Sequence, residues 1–335
     1  MKKIVYLGYY LKQMNWNQLN LFLNYTAAKT NRSKIGILFS ALKNVFTYNI
    51  SILEYFQFRF FEKNSVQRSE WAGTGFMYES VQKLNPPKCR VILSDKRVFL
   101  EHYKEFVSHW HVTLQELELN DLAVHSKIAS GNQKIVLKSS SGQCGEGLLI
   151  KNFTQDIDGK SLINELKQTG NDIVEQFVEQ HDDLNRMSPS GLNTLRIFTI
   201  INKNGGVDIL GARLRITIDS HIDNLAAGNI ACEVDLQSGK ITGPGIFSDI
   251  TKTDVYQHPI TNVEIIGFQV PLFHECIALV TRAALFDTSN KTVGWDVAIT
   301  KKGVELIEGN HNWCKLLWQL PVKKGLKNVL AQYLK

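Results

Sequence analysis

The chain has 335 residues, a formal net charge of +6, 44% hydrophobic and 21% charged residues, and a mean hydropathy of −0.14. That is an ordinary globular composition, long enough for two or three subdomains; its mild, dispersed positive charge suits an anionic ligand and makes no case for nucleic acid. No apolar run reaches the roughly 18–20 residues of a membrane-spanning helix, and the five cysteines form no Cys-x-x-Cys pair or zinc spacing, which fits a reducing cytoplasm.

Met1 to Gly8 begins like a signal peptide, but Lys12, Gln13, Asn15 and Asn17 cut the apolar run short, so the expectation is a cytosolic protein. From Trp16 to about Lys63 the chain is rich in Leu, Phe, Tyr and Asn, with Gly36 its only Gly and no Pro. This predicts two or three helices, broken near Thr30-Asn31-Arg32-Ser33 and again near Asn49-Ile50-Ser51. The aromatic part, through Phe46, Tyr55, Phe56, Phe58 and Phe60, reads either as a helix packed on its own domain or as one lying on a membrane surface. Pro86-Pro87 marks a boundary. Beyond it, Cys89–Leu93 reads as a short strand and Ser94 or Asp95 caps a helix through Phe106. Residues 109–115 suggest another strand, whose His109 and His111 lack a third zinc-type ligand and read as structural.

Lys134–Lys138 and Gly147–Ile150 are predicted strands. The loop between them, Ser139-Ser140-Ser141-Gly142-Gln143-Cys144-Gly145-Glu146, can present backbone N–H and hydroxyl groups to phosphate oxygens. It lacks the Gly-Lys-Ser/Thr ending of a P-loop, and a strand follows it, so neither that motif nor the dinucleotide fingerprint applies. It reads as a glycine-rich hairpin loop closing over a nucleotide, with Lys138 at the strand end, or as an ordinary hairpin tip. A helix over 161–168 leads to Asp172–Glu179, an edge or linker strand. Leu195–Ile201 and Val207–Ile218 form a hairpin through Asn204-Gly205-Gly206. Arg213 and Arg215 share one face of the second strand and need an anionic partner if that face is buried. Asp223-Asn224 sits in a polar loop before the strand Ile230–Leu236, and residues 270–285 make a long amphipathic helix.

Gly294–Asn310 reads as a β-hairpin through Lys301-Lys302-Gly303. With Thr300 facing Val304, Asp296 lies directly opposite Glu308, and Asn310 shares their face opposite Gly294, which has no side chain to obstruct it. Two facing carboxylates repel unless a cation sits between them, and Asp, Glu and Asn offer the hard oxygens that Mg²⁺ prefers. Val297, Ile299 and Ile307 are expected on the core side. The alternative is a surface hairpin with solvated acids. No internal repeat or low-complexity segment is visible.

Ser94-Asp95-Lys96, Val136-Leu137-Lys138 with its loop, Val174–His181, Leu192-Asn193-Thr194-Leu195-Arg196, Asp223-Asn224, Gly294-Trp295-Asp296-Val297 and Leu306–Asn310 occur in an order that resembles the sugar-transfer-associated ATP-grasp proteins, relatives of glutamate-ligase-like enzymes of polysaccharide biosynthesis. The resemblance implies an α+β ATP-grasp fold over residues 89–335, with a nucleotide subdomain over about 89–175 and a metal subdomain over about 176–335, behind a mostly helical region 1–88. It implies that Lys96 and Lys138 contact ATP phosphates and that the loop of Ser140, Ser141, Gly142, Gly145 and Gly147 closes over them. Glu175, Phe177 and Val178 would hold adenine and Asp183 the ribose, while Asp296, Glu308 and Asn310 bind two Mg²⁺ ions. Arg196 and Arg215 would stabilise the transferring phosphoryl group, and Arg213, Asp223 and Asn224 are substrate candidates. Gly294 departs from the related D-alanine–D-alanine ligases, which carry Arg there, and Cys144 and Glu146 are unusual in the loop. The implied activity is an ATP- and Mg-dependent carboxylate–amine ligase joining a sugar acid and an amino acid, peripheral to the membrane or to glycosyltransferases; a kinase with a hydroxyl acceptor and a non-catalytic scaffold are the alternatives.

Overall fold

A computed structural model of the chain describes residues 8, 12, 14–127, 133–142, 147–153 and 158–334. The N-terminal region is helical, and its breaks fall at the two predicted places. Helices α1 (Trp16–Thr30) and α2 (Lys34–Tyr48) are separated by Asn31 in the left-handed conformation and by Ser33, whose Oγ caps the Gly36 amide. Asn49, also left-handed, and a capping box between Ser51 and Glu54 start the next helix, Ile52–Gln57. Most of the aromatic segment forms a core: Tyr55, Phe56, Phe58 and Phe60 are buried together with Phe22 and Trp71, whereas Phe46 is exposed. Helix α3 (Thr74–Leu84) follows and packs with the C-terminal segment around Trp313 and Trp318.

The strand expected at Cys89–Leu93 is instead a 3-10 turn (Pro87–Cys89) followed by a helical turn (Val91–Ser94). Pro87 fixes a helical φ at the start, and the Arg90 guanidinium donates to the Asn85 and Val81 carbonyls at the end of α3, which holds the turn in place. Ile92 and Leu93 then pack on the main core. Helix α4 (Lys96–His102) is capped by Asp95.

Two antiparallel sheets flank a cleft. The smaller has the order β1-β4-β2-β3, made of β1 (His111–Thr113), β2 (Gln133–Lys138), β3 (Leu149–Phe153) and β4 (Ile173–Gln176), with helix α5 (Gly159–Thr169) on one face. β1 is shorter than the expected 109–115, because Thr113 and Glu116 form a capping box that turns the chain into a helix. β4 pairs with both β1 and β2, so it lies inside the sheet and not at an edge.

The larger sheet has the order β7-β6-β5-β8-β9, from β5 (Leu195–Ile201), β6 (Val207–Ile216), β7 (Ile230–Val234), β8 (Thr292–Thr300) and β9 (Gly303–Asn310). Helix α6 (Phe273–Phe286) covers its core face, where Trp295, Val297, Ile299 and Leu306 are fully buried. The opposite face of β5, β6, β8 and β9 looks into the cleft.

The β8–β9 hairpin closes differently from the expectation. Its loop is Lys301-Lys302, and Thr300 pairs with Gly303, not with Val304. Continued without interruption, that register would place Asp296 opposite Ile307. A β-bulge at Ile307 inserts the missing residue, so Asp296 does face Glu308 and Gly294 does face Asn310. The shorter loop also puts Ile307 in the wall of the cleft and not in the expected core.

Candidate functional site

The cleft between the sheets encloses about 970 Å³. The larger sheet lines it with Arg196, Arg215, Asp296, Glu308 and Asn310; the smaller contributes Lys138 and Glu175. Lys96, Gly142, Phe177, Val178, Asp223 and Asn224 also border it.

At the floor, Arg196 on β5 is the direct neighbour of Asp296 on β8. Its Nε and Nη2 donate to the two oxygens of Asp296, the second at 2.8 Å. Arg215 Nη2 reaches Asp296 Oδ2 at 2.9 Å and Asp223 Oδ1 at 3.1 Å. Asp223 in turn accepts from the backbone N–H and hydroxyl of Thr194. Burial alone would raise the Asp296 pKa, but Arg196 and Arg215 hold it below the ordinary carboxylate range. Glu308 shows the opposite balance: burial and the neighbouring Asp296 charge push its pKa up, and the Asn310 amide donates to it at 3.0 Å. The two carboxylates therefore titrate apart, Asp296 compensated by two arginines and Glu308 short of positive charge.

At Gly294 there is no room for a side chain. A Cβ there would stand 2.6 Å from Trp313 Cβ and 3.3 Å from Arg196 Cδ, so the bare glycine makes room for the Arg196 stem arriving from the next strand. Gly294→Ala is therefore expected to cost about 1–3 kcal/mol by overpacking. Urea denaturation measures this, and unchanged stability would show that Trp313 yields freely.

On the other wall, Lys138 Nζ is ion-paired with Glu175. The Glu175 carboxylate lies 3.6 Å from His109 Nε2, and His109 Nδ1 is 2.8 Å from Glu305 on β9. Glu305 also accepts from the backbone N–H groups of Ser108 and His109. This buried chain of charges ties the small sheet to the β8–β9 hairpin. Burial works against a charge on His109, yet its contacts with Glu175 and Glu305 prevail and raise its pKa to about 9 from 6.5. Because the folded value lies above the unfolded one, this stabilisation is complete below about pH 6.5 and disappears as pH rises through about 9. Urea unfolding of the parent chain should lose stability across that window, and His109→Asn should show a flatter profile; parallel profiles would exclude the linkage.

Not every expected residue reaches the cleft. Ser140 is buried, with its N–H and hydroxyl both donated to Asp172 at 2.6 Å, so its hydroxyl is turned away from the space a phosphate would occupy. Ser141 is exposed and, like Gly147, does not line the cleft. Gly145, with Cys144 and Glu146, lies outside the described residues. Asp183 points away and pairs with Arg186 at 3.1 Å; Glu179 and Asp182 border the cleft near it. Arg213 does not meet the anion expected for it: its guanidinium donates to the Trp318 and Ala212 carbonyls, satisfying the end of the helical turn Lys315–Gln319. Lys96 Nζ donates to the Ser139 and Gly142 carbonyls, which pins the loop to α4.

Three participants escaped the sequence reading. Thr194 carries no role by residue type, His109 has no zinc-type neighbours in sequence, and Glu305 shares a face with Glu308 only because of the bulge.

The donor set suits Mg²⁺ in a particular way. Among the described residues no group of three or more His, Cys, Asp or Glu could hold a metal. Asp296, Glu308 and Asn310 supply two carboxylates and one amide, the sparse all-oxygen set with which Mg²⁺ is held when phosphates and water complete its shell. The raised Glu308 pKa marks where a cation would relieve repulsion.

A family model described as sugar-transfer associated ATP-grasp matches residues 77–335. No curated protein matches the chain. Among solved structures, a biotin carboxylase from Campylobacter jejuni in a beta-gamma-ATP complex aligns with a TM-score of 0.45 and 10% identity, over 72% of this chain and 46% of that one. An L-amino acid ligase from Bacillus licheniformis aligns with a TM-score of 0.41 and 13% identity, over 73% and 48%. The biotin carboxylase domain of a 2-oxoglutarate carboxylase from Hydrogenobacter thermophilus, with MgADP and bicarbonate, gives 0.41 and 15%, over 70% and 46%. The chain spans about half the length of these structures.

Proposed function

We propose, from the premise that this chain belongs to the sugar-transfer associated ATP-grasp family, that it is an ATP- and Mg-dependent carboxylate–amine ligase. The observation that carries the reading is the single cleft with Lys138 on one wall and Asp296, Glu308 and Asn310, backed by Arg196 and Arg215, on the other. Mg²⁺, when bound, would screen the phosphate charge. Lys96 and Lys138 would bind phosphate oxygens, Glu175, Phe177 and Val178 the adenine side, and Asp296, Glu308 and Asn310 two metal ions. Arg196 and Arg215 would face the charge that builds as a substrate carboxylate takes the γ-phosphoryl group and ADP leaves. An amine nitrogen would then attack the acyl carbon, lose a proton and expel phosphate.

We further propose a place in cell-surface polysaccharide synthesis, with a sugar acid and an amino acid as substrates and Asp223 and Asn224 at the substrate end; the sugar-transfer association in the family's description supports only the sugar part of this reading. The reaction would run in the cytoplasm. We place the helical region at 1–88 and the grasping unit at 89–335, its nucleotide part over about 89–175 and its metal part over about 176–335; the first helices share their aromatic core with Ile246, Ile250 and Leu320 of the grasping unit, so the two parts pack together.

The test is incubation with ATP, Mg²⁺, hydroxylamine and a panel of sugar acids. A ligase releases ADP and yields a hydroxamate. A kinase releases ADP with a phosphorylated alcohol and no hydroxamate, and a scaffold releases no ADP.

A further inference from the structure

Helix α2 buries one face and leaves a second apolar face uncovered. Ile37, Ala41 and Val45 point into the aromatic core. Among the described residues Ile35 and Phe39, one turn apart, are each 69% exposed on that face. Tyr48 Oη donates to the Ser65 carbonyl, which brings the turn bearing exposed Val66 to the end of this helix. The segment that bears this face has charge of one sign: residues 1–53 carry seven Lys and Arg and no Asp or Glu, and Glu62 beyond it is paired with Lys29 and Arg59. The first acid, Glu54, is buried and spent on Ser51, Thr74 and Lys315. Arg32, Lys34 and Lys43 flank the stripe and are exposed.

We infer that the outward face of α2 docks on an anionic lipid surface, with Ile35 and Phe39 entering the headgroup boundary and Arg32, Lys34 and Lys43 meeting lipid phosphates. An exposed aromatic and aliphatic stripe bordered by cations is the arrangement that binds such interfaces. Among the described residues no helix is long and apolar enough to cross a membrane, so the contact is interfacial. A second copy is disfavoured as occupant, because a two-fold contact would press Arg32, Lys34 and Lys43 against their own counterparts. The stripe also lies before residue 77, where the family match begins, so it is a feature of this chain's own N-terminal region. The inference is independent of the ligase reading.

Cosedimentation of the full chain tests it, with vesicles of phosphatidylcholine alone and with added phosphatidylglycerol. Binding is expected only to the anionic vesicles and should weaken as salt is raised. Phe39→Glu, and separately Lys34→Glu with Lys43→Glu, should each lower it by about tenfold or more. Circular dichroism and ATP binding should stay unchanged in both, since none of the three residues borders the cleft. Absence of binding, equal binding to both vesicles, or undiminished binding by both variants overturns the inference. A dimer in light scattering that Phe39→Glu dissolves would assign the face to a second copy and overturn it equally.

Discussion

Asp296→Asn is expected to destabilise the fold by about 3–5 kcal/mol, the range for removing one partner from a buried ion pair. Asp296 is 2% exposed and is the shared counter-ion of Arg196 and Arg215. With an amide in its place Arg196 keeps one acceptor oxygen but no compensating charge, and Arg215 is left with Asp223 alone. The loss should also depend on pH in a defined sense. The Asp296 pKa is depressed by its arginines, so the stability it provides is present above the unfolded value near 3.8 and fades as pH falls through the lower folded value. Thermal and urea unfolding at neutral and acidic pH measure both effects. A variant as stable as the parent at neutral pH would mean that the two guanidinium groups find other acceptors. Because the same carboxylate is proposed to hold Mg²⁺, ATP binding should be lost as well.

Glu308→Gln should separate function from stability. Glu308 faces Asp296 across the hairpin with a raised pKa, so its own stabilising contribution belongs to the protonated form and is lost as pH rises through the folded value. In its ionised form it repels Asp296. Glutamine keeps the shape and an acceptor for Asn310 while removing that repulsion, so the melting temperature should hold or rise. Mg-dependent ATP binding or turnover should nevertheless fall on the order of a hundredfold or more, by comparison with losses seen when even outer-shell partners of a metal are removed. Calorimetric titration with ATP, with and without Mg²⁺, reads this directly. Undiminished Mg-dependent binding would remove Glu308 from the proposed metal set and leave the hairpin acids without their assigned task.

The contrast between these acids could be foreseen only in part. That Asp296 and Glu308 face each other follows from period-two alternation around a recognisable turn. The turn assumed for it was one residue too long, and the pairing stood because the bulge at Ile307 restores the register. Nothing in Leu306-Ile307-Glu308 announces a bulge, since any residue can occupy that position. Similarly, Arg213 and Arg215 alternate alike along β6, yet one meets carboxylates and the other backbone carbonyls of a distant helical turn. Ser140, a natural phosphate donor by residue type, is claimed by Asp172, 32 residues away in sequence.

Local rules govern one part of this molecule. Caps at Ser33 and Ser51 and left-handed Asn31 and Asn49 set the helix breaks, alternation set the strands, and the order of motifs pointed to the family. What the tertiary structure alone decided is which charges meet. Arg196 lies beside Asp296 across a strand pair, Lys138 reaches Glu175, and His109 joins Glu175 to Glu305 across two sheets. Electrostatic pairing depends on distances of a few ångströms between residues up to about two hundred positions apart, and on how far each pair is withdrawn from water. Those two quantities are set by packing, and no local pattern encodes them.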